Sequence, residues 1–469
     1  MNKYKYLLKN VGLLTISNLG SKILSFVLIP LYTSILTTSE YGTYDFYLTT
    51  VSLLAPILTL TIANGVMRFC LDERNDKADV FSIGVVQELK AIVLFSLFVF
   101  CNCIFEIIPI LNEYPVLLIL LFIGSRSYNY ITLFCRGIGN IFDLAVAGGI
   151  NSVSVVSFNV IFLLYFRLGL TGYFWANIIA YLFPAIYLFI RLRIWRYIKR
   201  YNNVNLKKEM FSYSKPMIFS NIGWWINNVS DRYIVTWICG VAANGIYSVA
   251  YKLPSVLNIL QNIFNQAWAL SAVKEINNES SKFYSKIYSI YNCGMVLLCS
   301  LMIAGNQIIA RILFSKDFYL AWKYAPFLMI STVFGALIGL LEGIFLATKK
   351  SDIIAKTTCL GAIVNVILNL ILIKVYGPIG AAIATMIAYI VVWALRLYKA
   401  NQIVPIDISL IRDLITYVLL VIQSVLLLCD IKIYRVEVVQ TIILMLISIC
   451  YRKEIRVLCQ KLGKSIIKK

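Results

Sequence analysis

The chain has 469 residues, of which 60% are apolar and only 14% charged, with a mean hydropathy of +0.81. A soluble domain averages about 25% charged residues, so a water-facing surface of this size is excluded and lipid must solvate most of it. The formal charge of +21 does not mark a nucleic-acid binder, because the basic residues sit in the short segments between apolar runs, where a membrane protein keeps them.

Those runs predict a polytopic all-α membrane protein. Each is long enough to cross about 30 Å of hydrocarbon, and helices satisfy their own backbone groups there. The first, over 11–36, follows Lys3, Lys5 and Lys9. It is too long for a secretory signal and passes Pro30 without a small-residue cleavage site, so it reads as a retained helix. Helices are then expected over 43–67, 82–108, 115–135, 143–166 and 170–190. A second set follows over 212–239, 245–271, 287–310, 323–347, 353–373 and 378–397. A last pair is placed over 410–429 and 434–451, where Val438–Tyr451 is short for a span, so the count stands at about 12–14 helices. Most of the 43 Lys and Arg fall in alternate loops, which places both termini on the cytoplasmic side.

The sequence repeats itself. At an offset of 203, Ser17-Asn18-Leu19-Gly20 falls on Ser220-Asn221-Ile222-Gly223, and Gly42-Thr43-Tyr44 falls on Gly245-Ile246-Tyr247. At an offset of 208, Gly169 and Gly172 fall on Gly377 and Gly380. The period spans six helices, an even number, so both copies run the same way across the membrane. This predicts two six-helix lobes related by a pseudo-two-fold axis along the membrane normal. The expected division is a first lobe over 1–192, a basic cytoplasmic linker over 193–211, a second lobe over 212–400, and two further helices with a basic tail over 401–469. The linker, with Arg193, Arg196, Lys199 and Arg200, reads as a solvated segment held near anionic lipid.

Ionisable side chains inside spans face a cavity or pair with one another. Lys22 and Arg126 lie near the middle of their predicted helices, too deep to snorkel easily, and so are candidates to line a cavity. Asp231, Arg232 and Lys252 lie in the seventh and eighth helices. Glu88, Asp45 and Glu342 are candidate coupling groups or charge partners. Snorkelling to the interface is the alternative for Asp45, Lys90, Lys252 and Glu342. The set Lys22, Arg126, Arg232 and Lys252 leans cationic and suits an anionic group such as a diphosphate, since low dielectric strengthens the attraction. Ion pairing with Asp231 and Glu88 explains the same residues equally well. Trp224, Trp225, Tyr128, Tyr130 and Tyr233 are candidates to stack on sugars, against a plainer role in packing and interfacial belts. Gly335, Gly339 and Gly343 form a small-residue face for close helix approach.

The sequence has no histidine, which removes Ser-His and Cys-His nucleophile pairs and His-based metal sites. It has no phosphate-cradling Gly-x-x-x-x-Gly-Lys-Ser/Thr loop. Neither a cofactor nor a metal site is expected, and the 11 cysteines read as small buried hydrophobes.

The opening run Val11 to Tyr44, with Ser21-Lys22-Ile23-Leu24 and Glu40-Tyr41-Gly42-Thr43-Tyr44, resembles polysaccharide flippases of the O-antigen type. So do Asp231-Arg232-Tyr233, the stretch Gly245 to Leu253, and Arg136-Gly137-Ile138-Gly139-Asn140. These flippases belong to the multidrug/oligosaccharidyl-lipid/polysaccharide exporter superfamily. The resemblance covers about residues 1–400 and implies a two-lobed fold around a cationic cavity in a bacterial cytoplasmic (inner) membrane. It implies an undecaprenyl-diphosphate-linked oligosaccharide as substrate, moved to the periplasmic leaflet by alternating access. It also implies H+ or Na+ as a coupling ion, contact with membrane lipid, and polymerase and chain-length-control proteins as partners. Lys22 matches a basic first-helix position of related flippases. The rival readings are a multidrug exporter, which wants an acidic cavity, and a membrane polysaccharide polymerase, which wants a large outside loop.

Overall fold

A computed structural model describes residues 26–200, 203–274, 280–348, 350–429, 433–456 and 460. The chain divides into two compact units, Met1–Val229 and Ser230–Lys469. Among the described residues every regular element is helical. Nine helices there are long and apolar enough to cross a membrane, and a bent pair makes a tenth.

The first unit contains α1 (Ile29–Ile35), α2 (Thr38–Leu58), α3 (Ile62–Cys70), α4 (Lys77–Phe105), α5 (Pro115–Gly137), α6 (Ile141–Asn159), α7 (Gly169–Arg191), α8 (Val204–Ser214) and α9 (Pro216–Asn228). A capping box starts α2: the Thr37 side chain accepts from the Glu40 backbone N–H while Glu40 accepts from the Thr37 N–H, which satisfies two orphan donors at once. Several helices begin on proline, among them α5 and α9, because the missing N–H falls where the helix has no use for one.

The single span expected over 43–67 is in fact broken, with α2 and α3 meeting at 60°. Pro56 inside α2 removes a backbone donor, and Leu60 and Thr61 then take left-handed φ of 53° and 51°. Side chains answer the groups the break exposes. Gln87 of α4 donates to the Leu58 carbonyl (3.0 Å), and the Thr61 hydroxyl donates to the Ser214 carbonyl (2.6 Å). Nearby, the buried Trp225 indole donates to the Thr49 carbonyl (3.2 Å) and the Ser52 hydroxyl (3.1 Å), tying α9 to α2. A buried tyrosine cluster joins α1, α2 and α7: Tyr32 stacks on Tyr41 at 5.1 Å, and Tyr44 meets Tyr173 edge-on at 4.4 Å.

At the other end of α4 the segment Ile194–Tyr197 is pinned down. Ser82 donates to the Tyr197 carbonyl and accepts from the Lys199 N–H, both at 2.9 Å. The Lys199 ammonium bridges Asp76 and Asp79 and holds the Asp76 carboxyl below the usual carboxylate range.

The second unit contains α10 (Ser230–Cys239), α11 (Val241–Ala250), α12 (Pro254–Lys274), α13 (Ser280–Ala304), α14 (Asn306–Leu313), α15 (Ala325–Ala347), α16 (Ser351–Tyr376), α17 (Pro378–Asn401), α18 (Leu410–Leu428) and α19 (Ile433–Cys450). The continuous helix expected over 212–239 is interrupted at Val229. The apolar run over 245–271 is likewise interrupted after Ala250. Apolarity alone cannot report such breaks, since a broken helix and a straight one bury similar side chains. The core helix of this unit is α15, with 83% of its apolar window buried, against 28% for the lipid-type face of α16. Its small-residue face serves packing: a Cβ at Gly335 would lie 3.0 Å from the Tyr389 ring and one at Gly339 3.0 Å from Asn265. The α16–α17 turn needs Gly377 at φ 62°, a conformation open to glycine at little cost. The ten described cysteines are free thiols.

Close approach also governs α3 and α5, where a Cβ on Gly137 would come within 2.9 Å of both Cys70 Cβ and the Met67 carbonyl, whereas one on Gly149 would meet nothing within 4 Å. Gly137→Val is therefore expected to destabilise the protein by about 1–3 kcal/mol, the usual range for overpacking, and Gly149→Val by much less. Thermal unfolding of the purified protein in detergent, followed for both variants, checks the contrast; equal effects would mean that this helix contact is not as close as described.

Candidate functional site

Lys22 lies outside the described residues. The remaining predicted site residues fall into distinct settings. In the first unit, Glu88 of α4 and Arg126 of α5 line one cavity of about 190 Å³. Its other walls are mainly apolar, with Phe81, Ile92, Ile131 and Phe189 among them, and Ser127 and Tyr130 add hydroxyls. The Tyr130 hydroxyl is already committed, donating to the Phe81 carbonyl at 2.6 Å. Glu88 is only 7% exposed, and neither of its carboxylate oxygens is hydrogen-bonded; the Arg126 Nε is also without a hydrogen bond. Asp45 is buried in α2, one residue on from the Tyr44 that enters the tyrosine cluster.

In the second unit the Asp-Arg-Tyr segment closes on the Gly-Ile-Tyr segment. Asp231, 2% exposed, accepts from the Tyr247 hydroxyl at 2.7 Å, from the Tyr251 hydroxyl in a shorter contact, and from the Arg232 N–H at 2.9 Å. The Arg232 guanidinium stands 4.8 Å over the Tyr251 ring, a cation–π arrangement. Adjacent residues on a helix point about 100° apart, so Asp231 and Arg232 meet the same tyrosine from different sides. Lys252 is half-buried just beyond α11, in the turn that leads to α12. The four-residue spacing of Tyr247 and Tyr251 puts both on one helical face, which was the signal available for them in the sequence.

Glu342 of α15 has a partner the sequence reading did not single out. Arg396 of α17, 2% exposed, donates to Glu342 at 2.9 Å. It also donates to the hydroxyls of Thr357 (3.0 Å) and Thr358 (2.9 Å) on α16. Arg396 thus crosslinks three helices, and Glu342 is its counter-ion at the edge, its side chain 39% exposed. A second unsuspected network sits at α18. Arg412 pairs with Asp413 at 2.8 Å and with Glu454, and lies 4.6 Å over the Tyr451 ring. The Tyr451 hydroxyl donates to Asp413 (3.1 Å) and accepts from Asn292 of α13 (3.0 Å). Apart from the adjacent Arg412 and Asp413, these partners lie 38 to 159 residues apart, and no local spacing announces them.

Among the described residues no group of acidic, cysteine or histidine side chains is arranged to hold a metal ion. The described residues supply buried charges of both signs inside apolar helices, where ionisable groups are expensive and usually functional.

A family model described as polysaccharide biosynthesis protein matches residues 7–269, more than half of the chain. The chain belongs to that family. Among curated proteins it is 23% identical over 208 residues to the probable low-salt glycan biosynthesis flippase Agl15 of Haloferax volcanii. That match spans 42% of this chain and 43% of the flippase, well under its full length. It is 22% identical over 396 residues, 77% of each chain, to an uncharacterized membrane protein of Methanocaldococcus jannaschii. Among solved structures, the lipid II flippase MurJ in an inward closed conformation superposes with a TM-score of 0.65 at 16% identity, covering 95% of this chain and 98% of that one. An inward-facing multidrug resistance MATE transporter of the MOP superfamily superposes with a TM-score of 0.66 at 13% identity, covering 83% and 95%. The chain is a multi-pass, all-α membrane protein with the fold of these transporters.

Because Arg396 is more deeply buried than Glu342 and serves more acceptors, the two halves of their pair are unequal. Arg396→Met is expected to lower stability by about 1–3 kcal/mol, the range for leaving buried hydrogen-bonding groups unsatisfied, and Glu342→Gln by clearly less. Unfolding midpoints of the two variants in detergent test this, and the reverse order would show that the pair is held from the glutamate side.

Proposed function

We propose that this protein is a flippase that carries an undecaprenyl-diphosphate-linked oligosaccharide from the cytoplasmic to the opposite leaflet of a bacterial cytoplasmic membrane by alternating access. It acts as a transporter and makes or breaks no covalent bond. The observation that carries the reading is the buried charge inside apolar helices of a chain in the polysaccharide biosynthesis family. Arg126, with Lys22, neutralises the diphosphate, Arg232 and Lys252 add basic groups in the second unit, and exposed aromatic and amide side chains meet the sugars. Trp224 of α9 is 61% exposed, Tyr128 and Tyr233 are half-buried, and Trp225 and Tyr130 are buried in packing, so Trp224 is the candidate most open to a glycan. Asp231, clamped by two tyrosines, and Glu342, paired with Arg396, act as charge partners of the basic groups; Glu88 is the group open to ion coupling with H+ or Na+. O-antigen or a similar repeat unit is the cargo, and polymerase and chain-length-control proteins act after it.

A multidrug exporter of the same fold is the second reading, favoured by the MATE superposition. The basic weighting of the intramembrane charges speaks for an anionic cargo instead.

Deletion of the gene is expected to abolish surface polysaccharide and to leave complete lipid-linked repeat units on the cytoplasmic face. Wild type should rescue, while Lys22→Ala and Arg126→Ala, expressed at normal levels, should fall at least tenfold short. Repeat units that reach the outer face unpolymerised would point to a polymerase, and normal polysaccharide with raised drug sensitivity would point to an exporter.

A further inference from the structure

Among the described residues Asp231, Asp413 and Glu454 each accept at least one hydrogen bond through their carboxylates, whereas Glu88 accepts none. Glu88 has both carboxylate oxygens buried and unbonded, Arg126 has its Nε buried and unbonded, and the two line the same cavity. The groups that face Glu88 from neighbouring elements are few. Arg126 and Tyr130 come from α5, and Tyr181 of α7 stands beside Arg126. Among the described residues α7 and the segment after it add only the apolar Phe189, Ile194 and Ile198 to the cavity wall, and α5 adds the Ser127 hydroxyl.

An unanswered buried charge costs several kcal/mol, and a transporter retains one where something else will come to meet it. The cavity has room for that. About 190 Å³ exceeds the roughly 30 Å³ share of a single water several-fold and accommodates a phosphoryl group. The planar guanidinium of Arg126 offers a fork that fits phosphate oxygens bidentately. Two anions cannot share one guanidinium in an apolar cavity, because like charges close together in low dielectric cannot both stay ionised. When a phosphate takes Arg126, the carboxylate it displaces needs another way to lose its charge.

We propose that Glu88 and a phosphate of the cargo's diphosphate compete for Arg126, and that Glu88 takes up one proton from water as the phosphate displaces it. The inference rests on the diphosphate-lipid reading above and adds to it the site and stoichiometry of coupling. No bond to phosphorus changes. A proton passes from water to a Glu88 oxygen on loading, and returns to water on the other side when the phosphate leaves and the carboxylate regains Arg126. Cargo movement and proton movement are thereby tied through one side chain, and the rest of the cavity, being apolar, keeps other counter-ions from answering either charge.

The test uses full-length protein in lipid nanodiscs with geranylgeranyl diphosphate as probe, titrated calorimetrically between about pH 6 and 8 in buffers of different ionisation enthalpy. The wild type should take up about one proton more per ligand than Glu88→Gln, which reports the probe's own titration. Relative to that variant its affinity should fall about tenfold per pH unit, and Glu88→Gln should bind the more tightly of the two at pH 8. Matched unfolding midpoints establish that Glu88→Gln is folded, and Glu88→Asp, which keeps the carboxyl, should restore the extra proton. Equal proton counts for wild type and Glu88→Gln would overturn the exchange and leave the diphosphate reading standing. A folded wild type that fails to bind the probe anywhere in this range would overturn the reading and the exchange together.

Discussion

Lipid cannot solvate a charge or a bare amide, and the structure is organised around that fact. In water an exposed ion pair is worth little; in hydrocarbon an unanswered charge is a serious defect. Accordingly Arg396, Asp413 and Asp231 of the second unit are each held by several partners, although the second Asp413 oxygen is not hydrogen-bonded. Arg396 reaches three helices through Glu342, Thr357 and Thr358, and Asp413 is held by Arg412 and Tyr451. Asp231 is held by two tyrosines and a backbone amide. These networks give the helices fixed partners that apolar contact alone would not specify, because lipid tails are as apolar as leucine.

The same constraint explains how the helices break. A kink inside a membrane frees backbone groups, and it is tolerated only where the protein answers them. The α2–α3 bend, with Pro56 before it and two left-handed residues in it, is met by Gln87 and by a Thr61–Ser214 contact across more than a hundred residues. Arg193, also at positive φ, heads a segment whose neighbours are held by Ser82 on both sides. Polar side chains from distant helices are thus placed where the backbone fails to satisfy itself.

This division between local and distant causes also decides what could be read from the sequence. Helix class and most span positions were legible, because a run of 20 apolar residues is a local property. The depth of Arg126 was legible too, from its distance to the nearest polar segment, whereas Glu88 was placed only as a charge within its span. The break at Val229 was not, since no proline or glycine marks it between Trp224 and Trp237. Nor was Arg396, whose meaning depends on Glu342, 54 residues earlier in the chain. Asp231 shows the intermediate case: its tyrosine partners were visible as part of one motif, but only folding shows that they hold the carboxylate.

The offset of 203 residues adds a last distinction. Tyr44 and Tyr247 occupy matching positions and both are buried, yet Leu28 stands where Asp231 stands in the second half. Tyr247 therefore donates to a carboxylate, while Tyr44 packs edge-on against Tyr173 and Phe174. In the first unit Asp143 is likewise closed, by Asn140 and Tyr187, whereas Glu88 on α4 lines a cavity with an arginine and has neither oxygen hydrogen-bonded. A satisfied carboxylate holds helices in place, because displacing its partners leaves them all unpaired. An unsatisfied one next to a basic group and an empty volume responds to whatever enters that volume. Asp231 is thus set to hold helices together, and Glu88, in the exchange proposed above, to answer the cargo.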